Sequence, residues 1–164
     1  MAVRVVLDPG ELAVAQTLAS LRRCVNQAGG IKDRRRDTRQ QAIALDMLGT
    51  VSEVAFCKAF GAYPDLTVSP RRGGADVLLN GRRWDVKGTD RPNGRLLATT
   101  DKEPGAAEFY ALAIVSDHIV DLIGYATASQ LINPETVIDL GHGPTHALTQ
   151  EQLIPFPEQE LKQA

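Results

Sequence analysis

The chain has no apolar run near the roughly 18 residues that a membrane-spanning helix needs, and residues 1–7 are too short for a secretory signal. The expectation is a cytoplasmic protein with no membrane partner. Cysteine is scarce: Cys24 and Cys57 stand far apart, without a CxxC pair, which excludes a disulfide framework and a thiolate metal site. Both fall in stretches that read as helix, and both are expected to be free, packed side chains. Only three histidines are present. His142 and His146 have i, i+4 spacing, but Gly143 and Pro144 between them argue against a helix presenting both to zinc. The same shortage argues against a nuclease built on a histidine-metal finger. No GxxxxGK[ST] or GxGxxG string occurs, so nucleotide-driven and hydride chemistry have no support.

What is present is an ordinary globular composition, 43% hydrophobic and 23% charged, over 164 residues, enough for one domain with a real core. The formal charge of -2 averages two unlike halves. Residues 1–95 carry 16 Lys and Arg against 10 Asp and Glu, a net of +6; residues 96–164 carry 2 against 10, a net of -8. A basic half beside an acidic one can turn a positive face to a polyanion while the whole stays soluble.

Three regions divide the single domain: a helical part over 8–60, a sheet core over 66–125, and a C-terminal helix and tail over 126–164. Asp8, Pro9 and Glu11 form an N-cap, a first-turn proline and a capping-box carboxylate. The spacing of Leu12, Ala15, Leu18 and Leu21 carries that helix to about Gln27, where Gly29 and Gly30 stop it. A basic loop leads to a second helix capped at Asp37, with Gln40 three residues on, running to Phe60 and ending at Gly61. Short β-type runs follow at 66–69, 75–79, 82–87, 96–99, 109–115 and 119–125. Thr127 with Gln130 caps a short helix, Thr149 begins another turn near Glu151, and the segment after Pro155 reads as loose. This order predicts an α/β sandwich, a central mixed β-sheet flanked by helices.

Asn80-Gly81 between two β runs is a hairpin signal, because a type I′ turn needs positive φ at both central positions. It places Leu79 opposite Arg82, Val77 opposite Trp84 and Asp76 opposite Asp85. Side chains alternate along a strand, so Asp76, Asp85 and Lys87 share one face, while Val77, Trp84 and Val86 share the other. Opposed carboxylates repel. Either a divalent cation bridges them, as hard oxygen ligands suit Mg²⁺, or Lys87 or Arg83 neutralises them. On repulsion alone, Asn at Asp76 or Asp85 should leave the fold intact and even stabilise the metal-free chain. In the second helix Gly49, Glu53, Phe56 and Phe60 lie along one stripe with Leu45, which puts Glu53 on the apolar face. A carboxylate there needs a metal, an arginine partner or a route to solvent, and Gly49 is expected to admit a close backbone neighbour.

A helix Glu, then Asp76, a β-hairpin and Asp85-Val86-Lys87 resemble the PD-(D/E)xK superfamily of restriction-endonuclease-like nucleases. The likeness spans about residues 45–125, with Ala75 where the name-giving proline would stand. The resemblance implies a restriction-endonuclease-like fold and a catalytic set of Glu53, Asp76, Asp85 and Lys87. It implies Mg²⁺, or Mn²⁺ in its place, held by Asp76, Asp85, the Val86 carbonyl and Glu53. The function implied is hydrolysis of DNA phosphodiester bonds, most simply by an endonuclease acting on phage or mobile-element DNA, on junctions or at a specific site. Arg34, Arg35, Arg36, Arg71, Arg72, Arg83, Arg91 and Arg95, together with Lys102, are the expected phosphate contacts. A symmetric homodimer would supply two sites for two strands. The alternative is a non-enzymatic DNA-binding or assembly protein of the same fold.

Overall fold

In the computed structural model, residues 2–30, 39–69, 75–102, 105–141 and 143–157 are described. The chain begins with a strand that the sequence pattern did not announce, β1 (Val3–Val6). Its partner lies more than a hundred residues away, and Arg4 fixes it there by bonding both oxygens of Asp121 at 2.8 and 2.9 Å. Helix α1 (Pro9–Ala28) starts with the expected capping box, Asp8 accepting from the Glu11 N–H and Glu11 from the Asp8 N–H. It ends at Gly29, and Gly30 turns the chain away with φ +69. Helix α2 (Arg39–Phe60) ends at Gly61 as expected, with φ +63 there. Its expected cap at Asp37 lies outside the described residues.

Then come β2 (Val77–Leu79), β3 (Arg82–Thr89), β4 (Leu96–Thr99), β5 (Phe109–Ser116) and β6 (Ile119–Thr127). The capped helix α3 (Ala128–Leu131) follows, and then β7 (Val137–Asp139) and β8 (Pro144–Leu148). A five-stranded sheet has the order β1-β6-β5-β3-β2. It is mixed: β3 and β5 run parallel and the other pairs antiparallel. A second, antiparallel sheet has the order β4-β8-β7. The last two strands were not expected, since three and five residues carry little alternation. The expected strand at 66–69 is irregular chain instead. Leu66 and Val68 lie beside Ala13, Leu18 and Leu21 of α1, so their apolar character serves packing rather than a ladder.

The main sheet is covered on both faces. On one side Val51, Val54, Ala55 and Phe56 of α2 meet Val77, Trp84, Val86, Ala111 and Ala113. On the other Tyr110 and Leu112 meet Leu96, Ala98, Leu131 and Leu148. Burial on both faces explains why the run from Phe109 to Val115 is apolar without alternation. Six of the eight aromatic residues, Phe56, Phe60, Trp84, Phe109, Tyr125 and Phe156, join in one cluster, with ring centroids from 4.6 to 6.4 Å apart in contacting pairs. Phe156 is buried there and the preceding Ile154 pairs with Tyr125, so the chain just after Pro155 is anchored rather than loose. Residues 158–164 lie outside the described set.

Residues 50–57 of α2 are all buried, because α1 and the sheet enclose that stretch. The closest approach comes at Gly88 of β3, where a Cβ would stand 2.3 Å from Ser52 Oγ and 2.5 Å from the Leu48 carbonyl oxygen. A Cβ on Gly49 would meet nothing within 4 Å, so the glycine that seats the helix is on the strand. Cys57 is buried as expected, whereas Cys24 is exposed. His146 sits on β8 with Nδ1 2.9 Å from Thr136 Oγ1, and His142 is outside the described residues. Among the described residues no helix is long and apolar enough to cross a membrane.

Candidate functional site

Asn80 and Gly81 have φ +50 and +75, the type I′ values, and the hairpin register follows: Leu79 with Arg82, Leu78 with Arg83, Val77 with Trp84. Asp76 lies one residue before β2. Its N–H donates to the Trp84 carbonyl at 2.8 Å, and its Oδ2 accepts the Val86 N–H at 2.9 Å. A side-chain oxygen thus takes the place of a ladder carbonyl just before β2 begins, which pins the Asp76 carboxyl beside the Asp85-Val86-Lys87 backbone.

Asp85 alternates with Trp84 and Val86 and turns away from the helix layer. It is 1% exposed, although charged. Two ammonium groups neutralise it. Lys102 Nζ donates to Oδ2 at 2.5 Å, and Lys87 Nζ stands 2.6 Å from Oδ1, off the direction of a hydrogen bond. Lys102 also lies over the buried ring of Tyr110, 5.7 Å from its centroid. Glu53 comes from the other side, on α2, buried on the apolar face as its position in the stripe implies. Its Oε2 accepts from Arg22 Nη1 at 2.8 Å, while Arg22 Nη2 donates to the Asp65 carbonyl at 2.6 Å.

These carboxyls feel one another. Burial pushes Asp76 up to about 8, and the charges of Asp85 and Glu53 add to it; Lys87 and the Val86 N–H pull the other way. For Asp85 burial also acts upward, but Lys87 and Lys102 outweigh it and hold the group below the usual carboxylate range. The Cys57 thiol rises to about 12, through burial first and then through Glu53 and Asp76, so it stays protonated beside the acids. Burial and neighbouring negative charge thus favour the protonated form of Asp76, while the two ammonium groups favour the charged form of Asp85.

A pH dependence follows. An unfolded aspartate releases its proton near pH 4, whereas folded Asp76 keeps it up to about 8. Between those values the folded state binds the extra proton, so stability from this group is full below about pH 4 and declines as pH rises, until both states are ionised above about 8. With EDTA present, the melting temperature of the wild type should fall relative to that of Asp76→Asn between pH 5 and pH 8. Parallel profiles for the two proteins would contradict the raised value.

Of the sequence-derived set, Asp76 is the residue that feels the other three, Asp85, Glu53 and Lys87, although Asp85 and Lys87 stand on the face of β3 turned away from α2 and Glu53 stands on α2 itself. Asp76 lines an open cleft of about 560 Å³ together with Tyr63, Asp65, Thr67, Leu78 and Arg83. Of the expected phosphate contacts, Arg83 is exposed along this cleft, and Arg91 and Arg95 are exposed in the loop after β3. Lys102 is turned inward onto Asp85 instead of outward. Arg34, Arg35, Arg36, Arg71 and Arg72 lie outside the described residues. Sequence reasoning missed Arg22. The buried positions of α1 are Ala15, Leu18 and Ala19, a stripe that continues to Arg22, whereas Leu21 is 48% exposed. A basic residue on an apolar stripe was the available signal for a partner to Glu53.

The oxygen donors of Asp76, Asp85 and Glu53 are of the hard type that Mg²⁺ and Mn²⁺ prefer, and buried Asp85 Oδ1 has no directed hydrogen-bond donor. The residues fit a divalent cation chemically. Among the described residues, however, no three His, Cys, Asp or Glu side chains already form a cage, and both oxygens of Asp85 face ammonium groups. Comparison with protein-family models, curated proteins and solved structures finds no match.

Proposed function

We propose that the chain is a metal-dependent nuclease of the restriction-endonuclease-like kind that hydrolyses DNA phosphodiester bonds, as an endonuclease. The observation that carries this reading is the closeness of Asp76, at the start of the hairpin and on an open cleft, to the charges of Asp85 and Lys87 on β3 and of Glu53 on α2. A mixed sheet with its first hairpin against a glutamate-bearing helix agrees with it. Asp76, Asp85, the Val86 carbonyl and Glu53 would hold Mg²⁺ or Mn²⁺, which would polarise the phosphoryl oxygen and make hydroxide available at neutral pH. Asp76 has to give up its proton to act as such a ligand. Lys87, already against Asp85, would orient the attacking water and counter the charge that builds on phosphorus. Arg83, Arg91 and Arg95 would hold backbone phosphates, which supplies affinity and salt dependence without reading sequence. Cutting both strands would take two copies of the chain.

A second reading has its own support. Lys87 and Lys102 on Asp85, and Arg22 on Glu53, form internal ion pairs, as they would in a DNA-binding or assembly protein whose acids are structural. Nicking of supercoiled plasmid and of branched DNA, in Mg²⁺, Mn²⁺ or EDTA, separates the two. The wild type should cut only with metal, and Lys87→Ala should be slower by about a hundredfold or more, the scale seen when one group that stabilises transition-state charge is lost. DNA binding without cleavage by the wild type would favour the second reading.

A further inference from the structure

Both oxygens of Asp85 face cations that the chain itself supplies, and the two lysines differ in how they are held. Lys87 stands on β3, which is hydrogen-bonded to β2 on one side and β5 on the other. Lys102 stands in the turn after β4, its backbone joined to the Thr99 carbonyl by one bond of 3.1 Å. Its ammonium is nevertheless the better directed, 2.5 Å from Oδ2 with the ring of Tyr110 behind it. A Mg²⁺ ion binds a carboxylate oxygen at about 2.0–2.1 Å, which on Oδ2 would bring it within roughly 4.6 Å of that ammonium. Two positive groups that close, on a carboxylate shielded from water, repel strongly.

We propose that Lys102 is a built-in counter-ion that competes with the divalent cation for Asp85, so that metal binds only as the Lys102 ammonium leaves Oδ2. Lys102 then sets the metal affinity of the site in place of acting simply as a phosphate contact. The ion pair keeps buried Asp85 neutralised until metal arrives, and the released ammonium gains a natural partner when a DNA phosphate enters. This inference rests on the metal-dependent reading of the same residues.

The test is direct Mn²⁺ binding to the full chain without DNA, read by calorimetry and by the electron paramagnetic resonance of free Mn²⁺. Wild type, Lys102→Met and Lys102→Gln are compared. Wild type should bind weakly and Lys102→Met at least about tenfold more tightly, the ratio that matches one hydrogen bond to a charged group. Lys102→Gln can still donate to Oδ2 without carrying charge; it should also bind more tightly than wild type, and it decides the matter if the Met variant does not fold. Wild-type binding that is unchanged or weakened in the variants would overturn the counter-ion role and leave the metal-dependent reading standing. Absence of Mn²⁺ binding in all three proteins would overturn both.

Discussion

Asp85→Asn should abolish cleavage, lowering the rate on the order of a thousandfold or more if this carboxylate holds the ion that stabilises the developing charge. The same substitution should destabilise the metal-free chain by about 3 kcal/mol, the lower end for breaking a buried ion pair, because Lys87 can turn toward water. The hairpin register alone suggested the opposite sign, since two opposed acids repel and removing one charge relieves them. The structure reverses the sign for Asp85, because two ammonium groups converge on it and would lose their carboxylate. For Asp76 an intact fold is still expected, since the amide oxygen of Asn can accept the Val86 N–H, but its raised affinity for a proton leaves little charge repulsion near neutral pH to relieve. Urea unfolding in EDTA at pH 7, alongside the nicking assay, checks the pair. If Asp85→Asn unfolds at the wild-type midpoint, the two lysines do not depend on that charge.

Gly88→Ala should cost about 3 kcal/mol or more, at the severe end for forcing extra volume into a packed contact. The added Cβ would fall 2.3 Å from Ser52 Oγ and 2.5 Å from the Leu48 carbonyl oxygen. Trimming Ser52 would not rescue it, since the second obstacle is backbone. To make room α2 must withdraw from β3, and with it Glu53, so any Mn²⁺ affinity should fall too. Gly49→Ala, one turn along the same helix in open space, should instead stabilise by about 0.5–1 kcal/mol through helix propensity. Denaturant midpoints for the two substitutions should therefore move in opposite directions. A wild-type midpoint for Gly88→Ala would mean that the helix is not seated on the strand at this point.

The legible parts of this chain were those whose causes are local. The Asp8-Glu11 capping box, the glycines that stop α1 and α2, and the Asn80-Gly81 turn each act within a few residues, and each stands where the pattern placed it. The turn then carried its information outward, since fixing Leu79 against Arg82 brings Asp76 to Asp85 without reference to the rest of the fold. Less legible were features whose cause lies far along the chain. Four residues of β1 are a strand because β6 is there to receive them. Leu66 and Val68 are not a strand; their apolar side chains lie beside α1 instead.

The sequence by itself determined the capped starts of α1 and α3, the hairpin register and the presence of an acid on the inner face of α2. These follow from turn geometry, capping and periodicity, which need no distant partner. Lys87 beside Asp85 was foreseeable from the strand, but tertiary structure alone decided which distant cations join in: α1 supplies Arg22 to Glu53, and the turn after β4 supplies Lys102 to Asp85, 31 and 17 residues away. The reason is physical. A buried carboxylate must meet a compensating charge, but which of the chain's cations can reach it depends on where packing places each segment.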